Sequence, residues 1–116
     1  MRVVVSGSRT ITEFALVEKA IRESGFEISV LLSGHAKGVD RLAERWAKEN
    51  GIPIETFPAL WEVHGIIAGH LRNGEMVDKS EGLIAVWDGL SAGTRDIIVR
   101  AKKKDRRVFV FRTGDA

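Results

Sequence analysis

"LLSGHAKGVDRLAERWAKENG", Leu31–Gly51, joins an apolar run, a glycine-bracketed loop and an amphipathic segment. Ile28–Leu32 ("ISVLL") is short, apolar and partly β-branched, and reads as a buried strand. Val39, Leu42, Ala43, Trp46 and Ala47 fall on one face of a 3.6-residue period, so Val39 to Asn50 reads as a helix that Gly51 ends. The loop between them has two explanations. It is a plain connection, or it holds a small anion against the helix's first turn, where unpaired N–H groups and the positive dipole end coincide.

The same alternation runs through the chain. Arg2–Val5 ("RVVV") is a strand, followed by a helix from about Thr12 to Ser24 with Phe14, Val17 and Ile21 on one face and Gly25 after it. Pro53–Phe57 is a third strand, and its leading proline suits a sheet edge. Pro58 to Gly65 looks irregular; a helix through Ile67, Leu71 and Val77 then ends near Ser80. Gly82–Trp87 is the fourth strand. A helix from Gly93 to Lys104 presents Ile97, Ile98 and Ala101, and Arg107–Phe111 is the fifth strand. Strands alternating with helices predict one α/β domain over residues 1–112, with a frayed tail at 113–116. Its parallel sheet has five strands in the order 3-2-1-4-5 and helices on both faces. Ligands of such sheets sit beyond the strand carboxyl ends, beside the point where the order reverses. The loops after strands one, two and four are therefore expected to form one site.

Composition narrows the class. The 116 residues are 44% hydrophobic and 29% charged, ordinary for a soluble globular domain, and carry a net charge of +2. The absence of cysteine removes disulfides and thiolate metal sites and suits a reducing, cytoplasmic setting. No apolar run suggests a signal peptide or a membrane span. The basic run Lys102, Lys103, Lys104, Arg106 and Arg107 fits a solvated helix end better than a nucleic-acid patch.

The three loops are Ser6–Thr10 ("SGSRT"), Ser33–Asp40 ("SGHAKGVD") and Trp87–Asp96 ("WDGLSAGTRD"). Each pairs glycine, which lets a ligand approach the backbone, with small hydroxyls that donate without bulk. One such loop is an ordinary turn; three at one end of a sheet point to a phosphate. The binding candidates are Gly7, Ser8, Arg9, Ser33, Gly34, Lys37, Gly38, Asp40, Arg72, Asn73, Asp88, Ser91, Gly93 and Thr94. Arg9 suits a forked contact with phosphate, against the alternative of a surface ion pair. Asp40 lies in a helix's first turn, where it stabilises the dipole or accepts from a ribose hydroxyl. Asp88 accepts from a base or sugar, or shapes its turn. Trp46 reads as core, and core packing is also the preferred reading of Trp61 and Trp87 over stacking on a base.

Other chemistries lack their signals. There is no G-x-x-x-x-G-K-[ST] and no G-x-G-x-x-G after the first strand. His35, His64 and His70 lack metal-ligand spacing and no carboxylate cluster joins them, so neither a metal nor a cofactor is expected. Ser8 and Ser33 have no evident His/Asp partners for acyl transfer.

"GSR" (Gly7–Arg9), "LSGHAKGVDRLAERWA" (Leu32–Ala47), "RNGEMV" (Arg72–Val77) and "AVWDGLSAGTRDII" (Ala85–Ile98) together resemble the SLOG superfamily, which includes DprA/Smf and the LOG phosphoribohydrolases. The likeness is greatest to its small YspA-like family, through Gly34–Asp40, Trp61, Ala68–Asn73 and Trp87–Thr94. The resemblance implies a Rossmann-like fold that binds a nucleotide or nucleotide derivative, and a homodimer or larger homo-oligomer. Two alternatives come with it: LOG-like N-glycosidic hydrolysis of a nucleoside monophosphate, and DprA-like binding of single-stranded DNA. LOG enzymes place a catalytic glutamate three residues after their Gly-Thr. Ile97 stands there in this chain, with Asp96 one residue earlier and about 100° round the helix. Asp96 and Asp88 are thus the candidates for any catalytic acid.

Overall fold

Val3, Val4 and Val5 are all fully buried, yet they enter two different cores. Successive residues of a strand point to opposite faces. Val3 and Val5 meet Val17, Ala20 and Ile21 of α1 (Phe14–Ser24) and Val39, Ala43 and Ala47 of α2 (Val39–Glu49). Val4 meets Met76 and Val77 of α4 (Ala68–Asp78) and Ile97, Ile98 and Ala101 of α5 (Ala92–Lys103). Each buried valine contributes about 1.5–3 kcal/mol of transfer free energy. A strand apolar on both faces must lie in the middle of a covered sheet, and β1 (Arg2–Gly7) does.

The computed structural model describes residues 1–114. Its five parallel strands run in the order β3-β2-β1-β4-β5, as the alternation predicts. In register, Val4 lies beside Leu32 of β2 (Val30–Ser33) and Leu83 of β4 (Gly82–Trp87). β3 (Ile54–Thr56) forms one edge and β5 (Arg107–Arg112) the other. The chain leaves β1 towards β2, and after β3 it returns to the far side of β1 as β4. That reversal opens the strand ends of β1, β2 and β4 to one another. Thr113 donates its N–H to the Trp87 carbonyl (2.9 Å), and residues 115 and 116 of the expected tail lie outside the described residues.

The segment before β4 departs from expectation. Trp61–His64 forms a short helix, α3, where an irregular stretch is expected, and a tight turn over Gly65–Ile67 leads into α4. Of the apolar face expected through Ile67, Leu71 and Val77, only Val77 is buried; Ile67 and Leu71 are exposed, and Ala68 and Met76 are buried instead. Trp61, expected in the core, is half exposed. Trp46 and Trp87 do pack against the two cores. No helix among the described residues is long and apolar enough to cross a membrane.

Candidate functional site

Ser8 stitches the three loops together. Its N–H donates to the Val86 carbonyl (3.1 Å), and its own carbonyl accepts from Ile11 and Val39 (3.4 Å each). Its Oγ accepts from the Asp88 N–H at 3.1 Å. Two glycines make that closeness possible. A Cβ on Gly7 would run into the Val86 carbonyl and Val39. Gly38 has φ of 77°, and a Cβ there would stand 2.5 Å from the Ser8 carbonyl. The end of β1, the start of α2 and the loop after β4 thus share one packed junction.

Above it lies a cleft of about 450 Å³. Its lining includes Gly7, Ser8, Arg9, Asp40, Arg72, Asn73, Asp88, Ser91, Gly93 and Thr94 among the sequence candidates, together with Ser6, Thr10, Ala36 and Leu90. On one side is the first turn of α5. Ser91 caps it, its Oγ accepting from the Thr94 N–H (3.3 Å) and the Thr94 hydroxyl (3.0 Å). Helical geometry gives the Ala92 and Gly93 amides no acceptor within the helix. Asp88 holds the preceding turn: its Oδ1 accepts from the amides of Leu90 (2.8 Å) and Ser91 (2.9 Å), which keep its pKa low. Arg9 is exposed at the rim.

Across the cleft stands Asp40, only 3% exposed. Its Oδ2 accepts from the Ala36 N–H at 3.2 Å, while its buried Oδ1 has no partner. Burial pushes the carboxyl up to about 6, helped by the Glu44 charge and opposed by the Ala36 amide, the Arg72 charge and, most weakly, the Gly7 amide, which lies outside hydrogen-bonding geometry. An unsatisfied buried acceptor costs about 1–3 kcal/mol, so its retention calls for an explanation. Arg72 donates from Nη1 to the Gly34 carbonyl (2.8 Å) and from Nε to Asn73 Oδ1 (3.2 Å). Asn73 Nδ2 then reaches the Gly93 carbonyl (3.2 Å) and Asp96 Oδ2 (3.0 Å). The Arg72–Asn73 pair therefore ties the β2 loop to the start of α5. Burial also draws the Arg72 pKa down.

The remaining candidates lie elsewhere. Ser33 is fully buried and donates to Glu44 Oε2 at 2.7 Å. Gly34 sits beneath Arg72, Gly38 packs on the β1 loop, and Lys37 is exposed outside the cleft lining. Asp96 is also outside that lining. It pairs with Arg100 (2.9 Å) and His70 (3.0 Å) besides Asn73, contacts that outweigh partial burial and lower its pKa. Ile97 is core. His35 meets Glu44 at 2.9 Å and His70 meets Asp96, a single carboxylate each. These pairs cross between elements, so no local spacing in the sequence marks them. Among the described residues no group of three or more His, Asp or Glu side chains is placed to hold a metal.

The chain belongs to the YspA, cpYpsA-related SLOG family, whose model matches residues 1–64. That span holds the β1 and β2 loops of the cleft; Arg72, Asn73 and the β4 loop lie beyond it. The fold is similar to that of DNA processing protein A (DprA) from Streptococcus pneumoniae, with a TM-score of 0.77 and 22% identity. The alignment covers 97% of this chain and 50% of that one, so the chain spans half that protein's length. At this identity the likeness is one of fold. No curated protein matches the chain.

Proposed function

We propose that the cleft binds a phosphorylated nucleoside, with phosphate at the first turn of α5 and a sugar hydroxyl at Asp40. The observation that carries this reading is that Asp40, which lines the cleft, keeps a buried Oδ1 with no hydrogen-bond partner. It needs a donor, and a ribose hydroxyl is one. The Ala92 and Gly93 amides and the Arg9 guanidinium suit the phosphate, since unpaired helix amides and a forked cation both favour an anion. Membership in a SLOG family supports a nucleotide-related role. The reading is one of binding rather than hydrolysis. Asp96 lies outside the cleft lining and is engaged by Asn73, His70 and Arg100, Ile97 is core, and Asp88 already accepts two backbone hydrogen bonds.

Calorimetric titration with AMP and with ribose 5-phosphate tests this. Both are expected to bind the wild type. Arg9→Ala is expected to weaken both by about 1.5–3 kcal/mol, the worth of a charge-assisted hydrogen bond. Asp40→Ala is expected to lose about 1–3 kcal/mol. Failure of both ligands to bind the wild type at millimolar concentration would reject the proposal. Salt-sensitive binding of an oligonucleotide without a mononucleotide response would favour the DNA reading instead. Release of free base from AMP would favour the glycosidase.

A further inference from the structure

A second hollow, of about 140 Å³, opens beside the cleft. Trp61, His35, Pro58 and Ala59 wall it, and Arg9 and Arg72 border both spaces. Trp61 is 50% exposed, and its ring rests on the first turn of α4, where a Cβ on Gly69 would stand 3.4 Å from Cη2. Opposite features hold His35. Its φ of 58° lies in the left-handed region, unusual for a residue with a Cβ. Its N–H donates to Ser33 Oγ (3.0 Å) and its Nδ1 meets Glu44 Oε2 (2.9 Å). Glu44 is itself 8% exposed and anchored by the Ser33 hydroxyl. A carboxylate accepts, so Nδ1 carries the ring proton and Nε2 is left for another partner. Backbone strain kept in place by buried anchors is characteristic of a side chain aimed at something.

We propose that this hollow receives the heterocyclic base of the bound nucleotide, stacked on Trp61 with its edge towards His35. The inference rests on the nucleotide reading above. The space equals that of about five waters, enough for a planar ring system. It adjoins the cleft across Arg9 and Arg72, so one ligand spans both. Stacking on an indole accepts any base; the His35 Nε2 lone pair favours one with an amino group on its edge.

The test compares AMP with ribose 5-phosphate by calorimetry in the wild type, Trp61→Ala, Trp61→Phe and His35→Gly. Glycine adopts a φ of 58° without strain, so the last variant keeps its backbone. Wild type is expected to bind AMP at least tenfold more tightly than ribose 5-phosphate. Trp61→Ala is expected to remove most of that preference while leaving ribose 5-phosphate unchanged. Trp61→Phe restores part of it, and His35→Gly reduces it by a smaller factor. Equal affinity of the wild type for both ligands overturns the base hollow alone. So does a Trp61→Ala loss shared equally by the two, which would make Trp61 a structural residue. Failure of the wild type to bind either ligand instead rejects the nucleotide reading beneath it.

Discussion

Asp40 and Asp88 look alike in the sequence, each an aspartate at a strand-to-helix junction within two residues of a glycine, and the fold separates them. Asp88 is satisfied by two amides of its own turn. Asp40 is sealed under Arg72 with one oxygen unpaired. Burial from distant parts of the chain makes the difference, which is why residue type and spacing leave both roles open. The cost has a measurable signature. The folded pKa of about 6 lies above the unfolded value, so the native state holds this proton more tightly. Its contribution is fully present below about pH 4 and is lost as pH rises to about 6. The shift of about two units corresponds to roughly 3 kcal/mol. Asp40→Asn, which cannot ionise, is therefore expected to exceed wild type in urea stability at pH 7 by up to about 3 kcal/mol. At pH 4 the two should nearly coincide. A constant difference across that range would show that the carboxyl is not desolvated. The same variant should bind ribose 5-phosphate more weakly, the trade expected of a binding group kept at the expense of stability.

Helices α2 and α5 begin at the cleft, and the apolar periodicity places their starts within a residue of Val39 and Ala92. The strands are equally plain, because β-branched runs buried on both faces have no polar residues to blur them. α4 is not plain. Ile67 and Leu71 mimic a core stripe, but only tertiary packing reveals that Ala68 and Met76 occupy the core. Ser33 misleads likewise, because its partner Glu44 sits a helix turn inside α2. The two kinds of glycine give opposite predictions. Gly7→Ala drives a methyl into the Val86 carbonyl and should cost at least about 3 kcal/mol in denaturant melts. A Cβ on Gly93 meets nothing, so Gly93→Ala should leave stability unchanged or raise it by up to about 1 kcal/mol. Its methyl would nevertheless crowd the α5 amides, and nucleotide affinity should fall at least tenfold. Arg106 adds a contact its place in a basic run conceals: it donates to the carbonyls of Val77 (3.1 Å) and Asp78 (3.3 Å), capping α4. Arg106→Ala should cost about 1 kcal/mol in the same melts.

The strand order puts the β1, β2 and β4 ends side by side, and that reversal was legible from the alternation of elements alone. The sequence carries no comparable sign of the apolar side chains left outside. Leu60, Val63, Ile66 and Leu71 are all exposed along α3 and the start of α4, flanking another hollow of about 500 Å³ between β3 and α4. A ligand therefore has two hollows to choose between. Amide chemical shifts of the ¹⁵N-labelled chain, followed while AMP is added, locate it directly. The largest changes are expected at Arg9, Ala36, Ser91, Gly93 and Thr94. Changes confined to Phe57, Leu71 and Glu75 in the larger hollow, or none anywhere, would contradict the proposal.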